Sequence, residues 1–293
     1  MIYHYAVPFS PSSSLLHECY NPEILQGVKV VKGLQATWGK CSRTIPLDIS
    51  YPPLACWKNI IACPESQNIV ILDAITGISK SILSEHTGSV ECLAFSLDGT
   101  LLVSGSSDKT VKLWDIQTGG VVKTFCGHMD SVSSTSISSD YTTIASGSHD
   151  NTIHLWNFQT GECYHVIDGH SGTVHFVMFS PTNSQLLMSA SNDWTVWQWD
   201  INGHQIGPSH RGSGVTISPD GNYFVSWKLF EKVATLRKFE SGAIVAEILA
   251  PNGRFSHCCF SPTGKLLAGS TFDAICIWDL TSSIPCLVET KQI

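Results

Sequence analysis

Two stretches of the sequence come close to a phosphate-binding loop. Gly33-Leu-Gln-Ala-Thr-Trp-Gly39-Lys40-Cys41 has one residue too many between its glycines, and cysteine stands where Ser or Thr must bind Mg²⁺. Thr263-Gly264-Lys265 is followed by Leu266, so it too lacks the metal-binding hydroxyl. Metal chemistry fares no better. The chain has 11 cysteines and no Cys-x-x-Cys pair, which removes the zinc-ribbon and thioredoxin patterns. Cys258 and Cys259 are adjacent and would point to opposite faces of a strand. His149 and His154 lie five apart, one on an expected turn and one on an expected strand, so they are not expected to share an ion. Trp194, Trp197 and Trp199 crowd one turn; Trp197 and Trp199 share a face, while Trp194 sits at the tip, either as an exposed interface anchor or as part of the packing between blades.

The elements that must carry these residues repeat. His86–Gly119 and His128–Gly161 align without a gap at an offset of about 42 residues, and a third copy runs from His170 through Trp199 to Gly203 with one residue inserted around Asn183–Gln185. Weaker copies are Phe255–Asp279, Gly214–Gly242 and Ile60–Gly77. Within a unit, Val90, Cys92 and Ala94 alternate with Glu91, Leu93 and Phe95, the period of a strand. Leu97-Asp98-Gly99 predicts a two-residue hairpin turn, because Asp-Gly supplies positive φ. Leu101–Gly105, Thr110–Ile116 and Val121–Phe125 follow as further strands. The spacing leaves no room for a useful helix. Four antiparallel strands per repeat is one propeller blade, so the fold class is all-β.

The residues that punctuate the repeat carry a family resemblance. Gly127-His128, Ser146–Asp150 and Trp156-Asn157, with their counterparts in the flanking copies, resemble WD40 repeats. The resemblance runs from about Ser42 to Ile293 and implies a WD40-type β-propeller with six recognisable blades, leaving seven or an incomplete ring open. It implies a hydrogen-bonded tetrad of His, Ser, Asp and Trp within a blade. By position these are His86, Ser104, Asp108 and Trp114; His128, Ser146, Asp150 and Trp156; and His170, Ser189, Asp193 and Trp199. A role in such tetrads makes these residues structural rather than a Ser-His-Asp catalytic set. The copy ending at Trp278 keeps Asp273 but has Ala268 where the Ser is expected, and the copies ending at Gly77 and Gly242 lose nearly all of the pattern. Ser148–Trp156 resembles a sialidase turn, but that chemistry needs three convergent arginines, and the chain's four (Arg43, Arg211, Arg237, Arg254) fall in or before degenerate stretches.

Residues 1–40 repeat nothing. Val28, Val31, Leu34 and Trp38 fit a short amphipathic helix in an N-terminal linker, with the propeller expected over 41–293. HYAVPFSPSSSLL, then VKVVKGLQATW, is similar to the junction before the propeller in fungal NACHT–WD40 signal-transducing ATPases. That resemblance implies a sensing module with a NACHT-type ATPase region in cis or in trans. A general scaffold or substrate adaptor is the competing expectation, and an enzyme is not expected.

Function in such a ring is expected on a rim of turn tips. The resemblance places the residue before each turn Asp on the top face: Ser107, His149, Asn192 and Phe272, with Ser89, Ser131 and Thr173 beside them and Trp194 at its tip. The expected partners are proteins, with no cofactor. With 17 Lys+Arg against 24 Asp+Glu and a formal net charge of −7, nucleic acid is not expected. A hydrophobic share of 43% with 14% charged residues argues against a disordered chain. No run approaches the ~20 apolar residues of a membrane span. Met1–Leu16 lacks a basic start and an unbroken apolar stretch, and the chain has no Asn-x-Ser/Thr sequon, so the expected compartment is a reducing cytoplasm.

Overall fold

A computed structural model describes residues 54–229, 231–251, 253–271, 274–282 and 285–292. The expected linker and helix in 1–40, the rim residue Phe272 and the turn residue Asp273 lie outside the described residues.

The described chain forms six four-stranded antiparallel sheets, each built from four consecutive strands. Blade I comprises β1 (Ala55–Trp57), β2 (Ile60–Glu65), β3 (Asn68–Asp73) and β4 (Ser79–Leu83). Blade II comprises β5 (Val90–Phe95), β6 (Leu101–Ser106), β7 (Thr110–Asp115) and β8 (Val121–Cys126). Blade III comprises β9 (Val132–Ile137), β10 (Thr143–Ser148), β11 (Thr152–Asn157) and β12 (Cys163–Asp168). Blade IV comprises β13 (Val174–Phe179), β14 (Leu186–Ser191), β15 (Thr195–Asp200) and the two-residue β16 (His210–Arg211). Blade V comprises β17 (Gly214–Ile217), β18 (Tyr223–Trp227), β19 (Val233–Lys238) and β20 (Ile244–Leu249). Blade VI comprises β21 (His257–Phe260), β22 (Leu266–Ser270), β23 (Ala274–Asp279) and β24 (Cys286–Gln292). The architecture is the WD40-type β-propeller that the repeats predict. Cys286–Lys291 falls in the outer strand of blade VI, paired with β23.

Burial follows position within the blade. All six residues of β10 are buried, because its two faces meet two neighbouring blades, whereas β12 at the outer edge is mostly exposed. This is why the middle strands read as apolar or small on both faces while the outer strands alternate. The core consists of apolar layers between consecutive blades. Ile69 and Leu83 meet Trp114; Val103 and Phe125 meet Ile144 and Trp156; Leu155 and Ile167 meet Leu187 and Trp199. Met188 and Val196 meet Phe224, and Leu236 and Ile248 meet Phe255 and Trp278. Each network Trp therefore belongs to one blade by hydrogen bonding and seals the preceding one by packing.

The first hairpin of blade II corrects one expectation. Asp98-Gly99 does not form a two-residue turn. Residues 96–100 connect β5 and β6, with the Gly99 amide donating to Ser96 O at 2.9 Å and Gly99 left-handed at φ 71°. Asp98 Oδ1 accepts from Ser96 Oγ at 2.6 Å and from the Thr100 amide at 3.0 Å, closing the longer loop. A Cβ on Gly99 would fall 2.0 Å from Trp57 Cδ2, so only glycine lets blade I lie over this turn.

Candidate functional site

In blades II, III and IV the four predicted positions meet. His86 Nδ1 lies 2.7 Å from Asp108 Oδ2, His86 Nε2 lies 2.7 Å from Ser104 Oγ, and Trp114 Nε1 donates to Ser104 Oγ at 2.8 Å. The corresponding distances are 2.8, 2.8 and 2.8 Å for His128, Asp150, Ser146 and Trp156. They are 2.8, 2.7 and 2.8 Å for His170, Asp193, Ser189 and Trp199. One donor order satisfies every atom: Trp Nε1–H to Ser Oγ, Ser Oγ–H to His Nε2, and His Nδ1–H to Asp. That order needs a neutral imidazole. Burial supplies it, holding His86, His128 and His170 below the ordinary histidine value despite the hydrogen bond and charge of their aspartates. Burial would raise the Asp108 carboxyl, but hydrogen bonds from Thr110, the Thr87 amide and His86 pull it down to about 2. Asp150 and Asp193 are lowered in the same way.

A fifth member escaped the sequence reading. The hydroxyl of Thr110 donates to Asp108 Oδ1 at 2.6 Å, Thr152 does the same to Asp150 at 2.6 Å, and Thr195 does so to Asp193. The signal was present as Asp-x-Thr in all three copies. The glycine before His170 has a spatial reason as well: a Cβ on Gly169 would fall 2.6 Å from Trp199 Cη2, whereas at Gly127 the matching approach to Trp156 is 3.1 Å and blade II carries Glu85 there.

The other blades solve the same space differently. In blade VI, Leu267 faces Trp278, so register puts Gly269, not Ala268, at the serine position. Phe255, with no solvent exposure, fills the place of the polar ring against Trp278 at 5.6 Å, and a Cβ on Gly269 would come 2.5 Å from Phe255 Cε1. In blade V the register keeps Ser226 but sets Arg237 opposite Phe224, where the Trp stands elsewhere. Ser226 Oγ and Arg237 Nε are then buried with no hydrogen-bond partner. In blade I, Cys63 and Leu72 take the Ser and Trp positions, and burial pushes the Cys63 thiol up to about 11.

The predicted rim residues are brought together in pairs by the backbone. Ser107 N donates to Ser89 O at 2.8 Å, His149 N to Ser131 O at 2.9 Å, and Asn192 N to Thr173 O at 2.9 Å. Ser89, His149 and Asn192 are exposed, and Ser107, Ser131 and Thr173 are half-buried. His149 approaches His175 of β13 edge to face at 6.1 Å, and burial holds the His175 imidazole below the ordinary histidine value. The largest side chain on this rim is Trp194, 42% exposed. Its backbone is left-handed at φ 67°, a position held by Lys109 and Asn151 in blades II and III. Lys228 Nζ sits 4.6 Å from the Trp194 ring centroid and is also paired with Glu231 at 2.6 Å. His149 and His154 do not converge; His154 instead stacks on His128 at 3.8 Å. Trp197 stacks on Trp199 at 5.3 Å, as expected for a shared face.

Residues 77–115, 119–157 and 161–200 match the family described as WD domain, G-beta repeat. The small ribosomal subunit protein RACK1y of Oryza sativa subsp. japonica is 37% identical over 229 residues, covering 71% of this chain and 65% of that protein. Protein Mut11 of Chlamydomonas reinhardtii is 57% identical over 42 residues, 14% of this chain and 11% of that protein. Transcription factor unc-37 of Caenorhabditis elegans is 33% identical over 89 residues, 28% of this chain and 14% of that protein. The chain spans less than two thirds of the length of each of these relatives. Among the described residues, no helix is long and apolar enough to cross a membrane.

Proposed function

On the premise that this chain carries WD40 repeats folded as a propeller, we propose that it is a non-catalytic scaffold or adaptor that binds other proteins through the rim of blades III and IV. The observation that carries the reading is Trp194. A bulky residue in a left-handed turn costs roughly 1–2 kcal/mol, and this one is spent on an exposed aromatic beside a cation. Exposed tryptophans of this kind are the usual anchors of protein interfaces. On the same rim, His149 and Asn192 add exposed hydrogen-bonding groups. The twelve His, Ser, Asp and Trp residues are read as structural, because every polar atom in their networks is already engaged. Relatives named as a small ribosomal subunit protein and as a transcription factor fit a fold used inside larger assemblies. The compartment that fits this reading is the cytoplasm, with Cys56, Cys63, Cys92 and Cys258 kept as thiols.

A narrower reading rests on residues 1–40, whose similarity to the junction of NACHT–WD40 ATPases supports a sensing end coupled to a nucleotide switch. Affinity capture with the full chain and with Trp194→Asn separates these readings. Protein partners recovered by the wild type and lost by the variant support the rim; a NACHT-type ATPase among them supports the narrower reading. Equal recovery by both chains contradicts the rim assignment.

A further inference from the structure

Blade III differs from its neighbours at the strand position facing the network serine. Ser104 faces Lys112 and Ser189 faces Trp197, but Ser146 faces His154. His154 is 7% exposed, it stacks on His128 with ring centroids 3.8 Å apart, and its Nδ1 has no hydrogen-bond partner. A buried polar atom left unpaired costs free energy that a ligand would recover. The donor atoms of His128, Asp150 and His154 all lie within 4.8 Å of one another, the one such trio among the described residues.

We propose that His128, Asp150 and His154 bind one first-row divalent metal ion of the zinc type. Two imidazoles and a carboxylate form a three-ligand set with a fourth position left open. Imidazole donors select zinc, cobalt, nickel or copper over magnesium and calcium. The ion takes the place of the Nδ1 proton that His128 otherwise shares with Asp150, and that proton leaves to solvent. His128 Nδ1 and Asp150 Oδ2 stand 2.8 Å apart. Adjacent ligands around a tetrahedral ion with bonds of about 2.0–2.1 Å stand roughly 3.3 Å apart, so this pair has only to spread slightly. His154 has the larger movement. A stacked imidazole directs its lone pair alongside its neighbour, so the ring must turn edge-on to reach the ion. The groups that orient the other two ligands are in place: Ser146 holds His128 Nε2, and Thr152 holds the second oxygen of Asp150. Blades II and IV share the His–Asp pair but lack the third donor.

The test is a titration of the full, chelator-treated chain with Co²⁺ and with Zn²⁺, beside His154→Lys, which installs the residue blade II carries at this position. The wild type is expected to bind one more ion per chain than the variant and to release about one proton with it. The extra Co²⁺ is expected to lack thiolate-to-metal absorption, which sets it apart from ions on cysteine. Metal is also expected to change the near-ultraviolet dichroism of the wild type only, because Trp156 lies 5.1 Å from the His154 ring, and to raise the Tm of the wild type alone by several degrees. Equal stoichiometry and equal Tm shifts in the two chains would overturn the proposal, as would a wild type indifferent to both metals. If the lysine variant does not fold, His154→Gln is read by the same criteria.

Discussion

Trp194 shows how a single residue can trade stability for an exposed surface. At φ 67° its Cβ crowds the following carbonyl, a cost that Asn151 largely avoids at the matching turn of blade III through the short polar side chain tolerated there. The contact with Lys228 returns only about 0.5–1 kcal/mol, because it is solvent-exposed. Trp194→Asn is therefore expected to leave Tm unchanged or to raise it by a few degrees, read by differential scanning calorimetry. A fall of many degrees would mean that Trp194 packs for stability and would remove it as an interaction anchor. The sequence marked Trp194 as the tip of a crowded turn, but it could not supply Lys228, 34 residues away, because that pairing depends on how blades IV and V abut.

Single elements carry very different weight depending on how each blade fills one recurring volume. In blade III, Ser146 links Trp156 to His128, so Ser146→Ala leaves two buried groups unpaired and is expected to lower Tm by several degrees. In blade V, Ser226 occupies the same register with no partner for its Oγ. Ser226→Ala removes an unsatisfied buried hydroxyl and is expected to be neutral or stabilising in the same melt. Equal destabilisation by the two substitutions would contradict the assignment of the networks as the stabilising feature. Blade order, strand period and the network positions of blades II–IV were legible because the repeat keeps residue type and spacing together. The serine position of blade VI was misread as Ala268, because the paired Leu267 and Trp278 stand 11 positions apart where Leu102 and Trp114 of blade II stand 12 apart, and only that pairing fixes the frame on Gly269. The convergence of His154 on His128 was also hidden, since the two lie 26 positions apart and meet across three strands.

Across the whole molecule, these buried groups impose a direction on pH dependence. Burial, with the nearby His128, lowers the His154 imidazole from 6.5 to about 4, and His86, His128 and His170 are lowered too. A histidine whose folded-state value is depressed contributes full stability above its unfolded value and loses it as pH falls towards the folded value. Tm is thus expected to be steady above about pH 7 and to decline between 6.5 and about 4, the window set by His154 and by His257, which burial lowers equally far. A second decline follows from 3.8 to about 2 as Asp108 protonates and its bonds to Thr110 and His86 weaken. A Tm that rises on acidification from pH 6.5 to 4 would contradict neutral histidines in the networks. The same buried networks fix the blades so that the turn tips of blades III and IV share one rim, and the interaction role proposed for this propeller depends on that rim. A photo-crosslinking residue placed at Asn192, compared with one at the exposed outer-strand position Val122, tests the role most directly. The account predicts discrete protein adducts from position 192 that disappear in the Trp194→Asn background, and none specific to position 122. Adducts formed only from position 122, or adducts at 192 that persist without Trp194, would contradict it.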